Sequence, residues 1–157
     1  MADSQQPSIG EVLAPVLMRV PRERQPLFIA LAERMAAQRY RGWAELTPTH
    51  GDPLRECADR EEDIAARIES LYARAADIQR ELHAAHPELE SINRDLFAGR
   101  SLEQQFAIQA GGERLGAATW RSFARHETDA SRRDVFLACA ELEEASAVVL
   151  EGILAGR

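Results

Sequence analysis

Four glutamates, Glu33, Glu61, Glu113 and Glu143, are spaced so that their side chains could meet in the protein interior. Each lies in a segment where apolar residues recur every three or four positions, and each falls on the apolar side of that pattern. Burying one carboxylate is costly, and four at the same level repel one another unless cations or protons neutralise them. Two divalent metal ions would balance the four charges. We therefore predict a shared metal site formed by these four residues.

Pairing with arginine is the alternative for each glutamate taken singly. Such a pair would hold the carboxylate at a partly exposed position. The nearby candidates are Arg34, Arg60 and Arg114. Two neighbouring acids, Glu62 and Glu144, are rotated by about 100° around a helix from the predicted ligands, so we interpret them as flanking groups.

The four glutamates lie inside an internal repeat. Residues 33–44 are ERMAAQRYRGWA and residues 113–124 are ERLGAATWRSFA, so Glu, Arg, Ala, Arg and Ala are identical in register. Residues 57–69 (CADREEDIAARIE) and 139–151 (CAELEEASAVVLE) form a second matched pair. The offsets are nearly equal, at 80 residues (113 minus 33) and 82 residues (139 minus 57). We infer duplication of a helix-loop-helix unit, with shared helical composition as the alternative.

Amphipathic segments that contain few glycines and prolines predict an all-α chain. Pro48 follows the first of these segments, Asp52 and Pro53 suit a helix start, and Ser101 with Gln104 fits a capping box. The predicted long helices are residues 25–46, 52–87, 101–127 and 128–156. Four such helices predict a four-helix bundle made of two similar helical hairpins.

Two further segments precede or join these helices. Residues 8–20 have apolar side chains at helical spacing, and we predict a short packed arm that caps the bundle or pairs two chains. Residues 86–100 form the long connection between the second and third helices, and a turn of helix could begin in it at Pro87. We divide the chain into an N-terminal arm, residues 1–24, and a helical domain, residues 25–157.

Composition and charge narrow the classes of function. The 157 residues are 45% hydrophobic, which is enough for one stable domain. A net charge of -7, with arginines spread along every predicted helix, argues against nucleic acid or an anionic membrane as a partner. The first residues lack the pattern of a secretory signal, and no apolar run is long enough to span a bilayer. We therefore expect a cytoplasmic protein.

At these positions the chain resembles the ferritin-like superfamily, in particular the rubrerythrin-type di-iron carboxylate proteins. In that family a glutamate on the first and on the third helix is followed by alanine at i+4 and an aromatic residue at i+7. The matching triplets are Glu33-Ala37-Tyr40 and Glu113-Ala117-Trp120. The resemblance covers about residues 25–155 and implies a ferritin-like four-helix bundle that binds a divalent metal such as iron or manganese.

The chain departs from the family pattern on the second and fourth helices. There the family has Glu-x-x-His, whereas Glu61 is followed at i+3 by Ile64 and Glu143 by Ser146. Imidazole ligands favour iron and zinc, and an all-oxygen site discriminates less between metals. We interpret the four histidines as surface residues that do not replace the missing ligands; they are His50, His83, His86 and His126.

Two functions are consistent with this pattern. The first is a ferritin-like metal-binding protein, either a di-iron oxidoreductase or an iron-handling protein with an atypical carboxylate-only site. The second is a metal-free helical bundle that acts as a structural or protein-interaction module, and the missing histidines favour it. We expect a homodimer, because related bundles commonly associate. The sequence indicates neither a redox partner nor whether the protein is an enzyme.

Two cysteines and two aromatic residues have equivalent places in the repeat. Cys57 and Cys139 precede the second and fourth glutamates by one turn, and we interpret them as small apolar core residues rather than soft ligands or a thiol pair. Tyr40 and Trp120 are predicted to fill the core, with a role beside the metal ligands as the alternative.

Overall fold

The computed structural model describes residues 7 to 156, and within this range every regular element is helical. The elements are α1 (Ile9–Leu17), α2 (Gln25–Leu46), α3 (Gly51–Glu69), α4 (Ala75–Ala85), α5 (Glu88–Phe97), α6 (Leu102–His126) and α7 (Ala130–Leu154). Short 3-10 turns, Arg22–Arg24 and Pro48–His50, precede α2 and α3. The predicted all-α class is confirmed. The first six residues of the predicted arm and residue 157 lie outside the described range.

The starts of the two C-terminal helices are fixed by side chains that cap exposed backbone groups. The hydroxyl oxygen of Ser101 accepts a hydrogen bond from the Gln104 backbone N–H, and the Gln104 side chain accepts one from the Ser101 N–H. Asp129 accepts a hydrogen bond from the backbone N–H of Arg132 at the start of α7. The predicted capping box of the third helix is therefore confirmed.

The prediction of one continuous second helix over residues 52–87 was wrong. The helix breaks between α3 and α4, where the Leu71 carbonyl oxygen accepts a hydrogen bond of 3.1 Å from the Arg132 guanidinium. The Tyr72 hydroxyl in the same break donates to the Glu23 carbonyl oxygen at 2.7 Å. These tertiary contacts hold the break open, because in a continuous helix the Leu71 carbonyl would accept from its own helix instead. The connection that follows contains α5, as a turn of helix starting near Pro87 predicts.

Ion pairs show the direction in which α2 and α3 pack along each other. Arg34 pairs with Glu69, and Arg41 pairs with Glu62 at 3.1 Å. The later residue of α2 thus contacts the earlier residue of α3. The two helices are therefore antiparallel.

The same pattern of ion pairs recurs between α6 and α7. Arg114 pairs with Glu151 at 2.8 Å, and Arg121 pairs with Glu144 at 2.8 Å. Each of these residues lies at the repeat offset from its counterpart in α2 or α3. The second hairpin therefore repeats the packing of the first, and α3 also packs against α7.

Two apolar clusters make up the core, and the glutamates separate them. One cluster includes Leu27, Ile68, Trp120 and Phe136, and the other includes Tyr40, Trp43, Leu54, Phe106 and Leu150. Along each of the four long helices, the residues on one side of the predicted ligand belong to one cluster and those on the other side to the other. The four glutamates therefore form a polar layer between two apolar halves of the core.

The predicted arm forms α1, which packs against α5 and α6. Ser8 caps it by accepting a hydrogen bond from the Glu11 backbone N–H, and Pro15 lies within it. None of the helices in residues 7–156 combines the length and the apolar composition needed to cross a membrane.

Candidate metal centre

The four predicted ligands are buried, one on each of α2, α3, α6 and α7. Their exposed fractions are 8% for Glu33, 0% for Glu61, and 1% for both Glu113 and Glu143. Carboxylates are almost never buried to this extent unless they are paired or bind a metal. The helical spacing in the sequence therefore placed these side chains on the correct face.

Three of the four carboxylates form a tight group. One oxygen from each of Glu33, Glu61 and Glu143 lies within 4.8 Å of the other two. Glu113 lies outside this closest group, although its negative charge contributes to the raised pKa of both Glu61 and Glu143. The structure therefore brings all four predicted ligands together, with Glu113 at the edge.

Hydrogen bonds from aromatic and amide side chains fix two of these carboxylates. Glu113 Oε1 accepts from the Tyr40 hydroxyl at 2.7 Å and from Gln109 Nε2 at 2.6 Å. Glu143 Oε1 accepts from Trp120 Nε1 at 2.9 Å. Tyr40 and Trp120 thus combine core packing with orientation of the glutamates.

Three carboxylate oxygens in the layer have no hydrogen-bond partner in residues 7–156. They are both oxygens of Glu61 and Oε2 of Glu113, and all three are buried. A buried carboxylate oxygen that accepts no hydrogen bond has lost its hydration without compensation. Either a proton or a cation must satisfy these atoms.

Burial raises the pKa of Glu61 and of Glu143 well above the usual value for a carboxyl group. The neighbouring carboxylate charges, such as those of Glu33 and Glu113, raise both pKa values further. Burial also raises the pKa of Glu33, and the negative charge of Glu113 adds to the rise. Without a cation, the layer therefore takes up protons more readily than ordinary carboxylates do, and a bound metal would compete with those protons.

The donor set fits a divalent metal ion. Carboxylate oxygens suit manganese, ferrous iron, magnesium and calcium, and helices that each present one acid can surround the ion. The metal-capable group in the described residues contains neither histidine nor cysteine. Ile64 and Ser146, at the places where the family has histidine, are both fully buried. Among the described residues, the candidate site therefore offers only carboxylate ligands.

Comparison with models of protein families, with curated proteins and with solved structures found no significant match. The resemblance to rubrerythrin-type proteins thus depends on the residues themselves. The four glutamates of this chain meet in the interior. Tyr40 and Trp120, the aromatic residues at i+7, each donate a hydrogen bond to one of them.

The structure does not show the alternative in which nearby arginines neutralise the glutamates. Arg34 pairs with Glu62 and Glu69, Arg114 pairs with Glu151, and Arg60 pairs with Glu56. Among the described residues, none of these arginines forms an ion pair with the four predicted ligands. Glu62 and Glu144 lie nearer the surface and pair with arginine, in agreement with their interpretation as flanking groups.

Arg39 is the positive charge that faces the layer, and it acts through Gln109. Its Nε and Nη2 atoms donate to Gln109 Oε1 at 3.2 and 3.1 Å, and Gln109 in turn donates to Glu113. The guanidinium lies 4.0 Å from the centre of the Phe97 ring. Burial lowers the Arg39 pKa to about 10, so the group stays charged at neutral pH. Sequence reasoning missed this chain of contacts.

Cys57 and Cys139 are fully buried free thiols near the glutamates. Burial raises the pKa of Cys57 to about 11 and that of Cys139 to about 12. Both residues are therefore neutral thiols, which supports their interpretation as small core residues.

Proposed function

We propose that the protein binds divalent metal ions through Glu33, Glu61, Glu113 and Glu143 at the centre of a ferritin-like four-helix bundle. The observation that carries the proposal is the environment of Glu61. Both of its oxygens are buried and accept no hydrogen bond within residues 7–156, while two other acids lie within 4.8 Å. A metal ion supplies the positive charge and the coordination that this carboxylate lacks.

The order of side-chain contacts supports a ferritin-like arrangement of the helices. Arg39 of α2 contacts Gln109 of α6, and Trp43 contacts Gln105, so these two helices are antiparallel. Because α2 is also antiparallel to α3, the helices α3 and α6 run in the same direction. The segment between them, which contains α4 and α5, must then run back along the bundle, as in ferritin-like proteins with one long crossover.

The residues around the layer would prepare the carboxylates for the metal. Tyr40 and Gln109 hold one oxygen of Glu113, which leaves its Oε2 available as a ligand. Trp120 holds Oε1 of Glu143 in the same way. Iron bound at this place would supply redox chemistry, whereas manganese, zinc or magnesium would supply charge and Lewis acidity.

The absence of imidazole at Ile64 and Ser146 favours a second function. In that case the carboxyls share protons, and the protein is a metal-free helical module with a structural or protein-binding role. The raised pKa values of Glu61 and Glu143 agree with such sharing of protons. A measurement of metal binding by the purified protein distinguishes the two functions.

The test is metal analysis with matched variants. Metal-free protein is titrated with Mn²⁺ and with Fe²⁺ under anaerobic conditions, and bound metal is measured by calorimetry and elemental analysis. We expect stoichiometric binding that the double substitution Glu61→Ala and Glu143→Ala abolishes. The control is Glu62→Ala with Glu144→Ala, which removes the adjacent acids and should preserve binding. Failure of the unchanged protein to bind either ion would refute the proposal.

Homodimer formation stays part of this proposal. Leu137 and Val148 of α7 are 42% and 59% exposed, which provides apolar surface for a second copy. Sedimentation analysis of the purified protein would measure the oligomeric state.

A further inference from the structure

A cavity of about 590 Å³ lies between α1, α2 and α6 and reaches the glutamate layer. Glu33, Glu113 and Glu143 line its inner end. Most of the remaining wall is apolar and includes Leu13, Leu17, Phe28, Ile29, Ala32 and Ala36. Its size is that of a small-molecule binding site, since such sites typically enclose roughly 300–1,000 Å³.

The cavity exists because α2 and α6 are more widely separated than the two helices of each hairpin. Their facing positions carry small side chains: Ala32 and Ala36 on α2 correspond in the repeat to Gly112 and Gly116 on α6. The small side chains of Ala32 and Ala36 leave space between the helices unfilled, whereas Ile9 and the Glu143 carboxylate lie against Gly112 and Gly116.

Helix α1 lies across part of the gap and lines one side of it. Ile9 packs so closely on Gly112 that a Cβ at that glycine would collide with it. A Cβ at Gly10 would likewise lie 2.6 Å from Leu115 Cδ2. The predicted arm therefore forms one wall of a site that is partly open to solvent.

The polar groups of the cavity indicate which ligand it accepts. The carboxylates at the inner end repel an anion, and the apolar wall offers few hydrogen bonds to ordered water. Arg39, the one cation among the lining residues that the structure describes, already donates to Gln109. A neutral apolar molecule matches both the wall and the charge at the inner end.

We propose that this cavity binds a neutral apolar small molecule, aliphatic or aromatic, with one end against the glutamate layer. The occupant would lie in contact with a metal bound at Glu33 and Glu143. Its role as a substrate rests on the proposed metal site, whereas binding itself does not. The two proposals can therefore fail separately.

The test uses metal-free protein and the neutral fluorescent probe N-phenyl-1-naphthylamine. We expect saturable binding of one probe per chain in this metal-free protein. The anionic analogue 8-anilinonaphthalene-1-sulfonate should bind at least tenfold more weakly, because it brings a negative charge towards the glutamates. Absence of saturable binding, or equal binding of the two probes, would overturn the proposal.

Variants that fill the cavity locate the site. Ala32→Phe should lower the affinity for the neutral probe at least tenfold, whereas Ala66→Leu on the exposed face of α3 should leave it unchanged. Circular dichroism checks that both variants fold. Nuclear Overhauser effects between the probe and the methyl groups of Leu13 and Ile29 in the unsubstituted protein give a second measurement. If these effects are absent while the probe is bound, the probe occupies another site and the assignment is wrong.

Discussion

Gly116 of α6 lies directly against the carboxylate of Glu143 on α7. A Cβ added at Gly116 would stand 2.5 Å from Glu143 Oε1, the same oxygen that accepts the hydrogen bond from Trp120. The glutamate therefore occupies the space that a side chain at position 116 would need. Glu143 can adopt this position because residue 116 is a glycine and has no Cβ.

Substituting Gly116 with alanine should displace the Glu143 carboxylate. We expect a loss of stability of about 1–3 kcal/mol from overpacking, and weaker metal binding by at least tenfold. The control is Gly111→Ala on the same helix, where an added Cβ meets no atom within 4 Å. That variant should gain about 0.5–1 kcal/mol, because alanine is the better helix former. Urea denaturation measures both, and equal stability of the two variants would contradict the role of Gly116.

Removing the Tyr40 hydroxyl should destabilise the metal-free protein. Tyr40→Phe takes a buried hydrogen bond of 2.7 Å away from Glu113, and we expect a cost of about 1–3 kcal/mol in the free energy of unfolding. Tyr72→Phe is the matched control, since that hydroxyl bonds to a backbone oxygen at an exposed place. Its loss should cost less than about 1 kcal/mol. Thermal and urea denaturation would show no difference between the variants if the Tyr40 bond contributes nothing.

The metal-free protein should become less stable as the pH rises above about 4.5. Burial raises the pKa of Glu61 and of Glu143 in the folded state, while the unfolded chain titrates near the ordinary value of about 4.3. At pH values between the unfolded-state pKa and the raised folded-state pKa, the folded state binds more protons than the unfolded state. Each extra proton lowers the free energy of unfolding by up to about 1.4 kcal/mol per pH unit. We expect a lower melting temperature at pH 8 than at pH 5.5.

The same protonation gives metal binding the opposite pH dependence. A metal ion must displace these protons, so its affinity should rise as the pH increases over this range. The double variant Glu61→Gln and Glu143→Gln should flatten the stability curve of the metal-free protein. A slope that survives this substitution would assign the titration to other groups.

The two cysteines should be unreactive in the folded protein. Cys57 and Cys139 are 0% exposed, and their pKa values are raised to about 11 and about 12. At pH 8 the thiolate fraction is then roughly one in a thousand or less, before access is considered. We expect iodoacetamide to label neither residue in native protein and both in urea, as measured by mass spectrometry. Rapid labelling of either native thiol would contradict its burial.

The positions of the long helices and the inward direction of the glutamates could be predicted from periodicity and helix-end signals. Pro48 marks the end of α2, and the capping box at Ser101 marks the start of α6. Glu33 and Glu113 follow the apolar stripe, and the structure buries both. Local pattern suffices here because each helix has one apolar face to bury.

Features that depend on contacts between distant segments could not be predicted. The break after α3 contains neither glycine nor proline. Two contacts with distant residues hold it: Arg132 donates to the Leu71 carbonyl oxygen, and Tyr72 donates to the Glu23 carbonyl oxygen. The cavity depends on how α1 crosses α6, which the sequence of α1 alone does not determine. Gln109 was detectable, since it lies one turn before Glu113 on the same stripe, but its bridge to Arg39 was not.

The matching ion pairs of the two hairpins bear on the evolutionary origin of the chain. Each hairpin carries its own Arg–Glu contacts and two of the four buried acids. If both descend from one ancestral gene, two copies of that shorter protein would already have assembled the complete set of acids as a symmetric pair. Fusion would then have allowed the copies to diverge, since Tyr40 and Trp120 donate to different acids although they occupy equivalent places in the repeat.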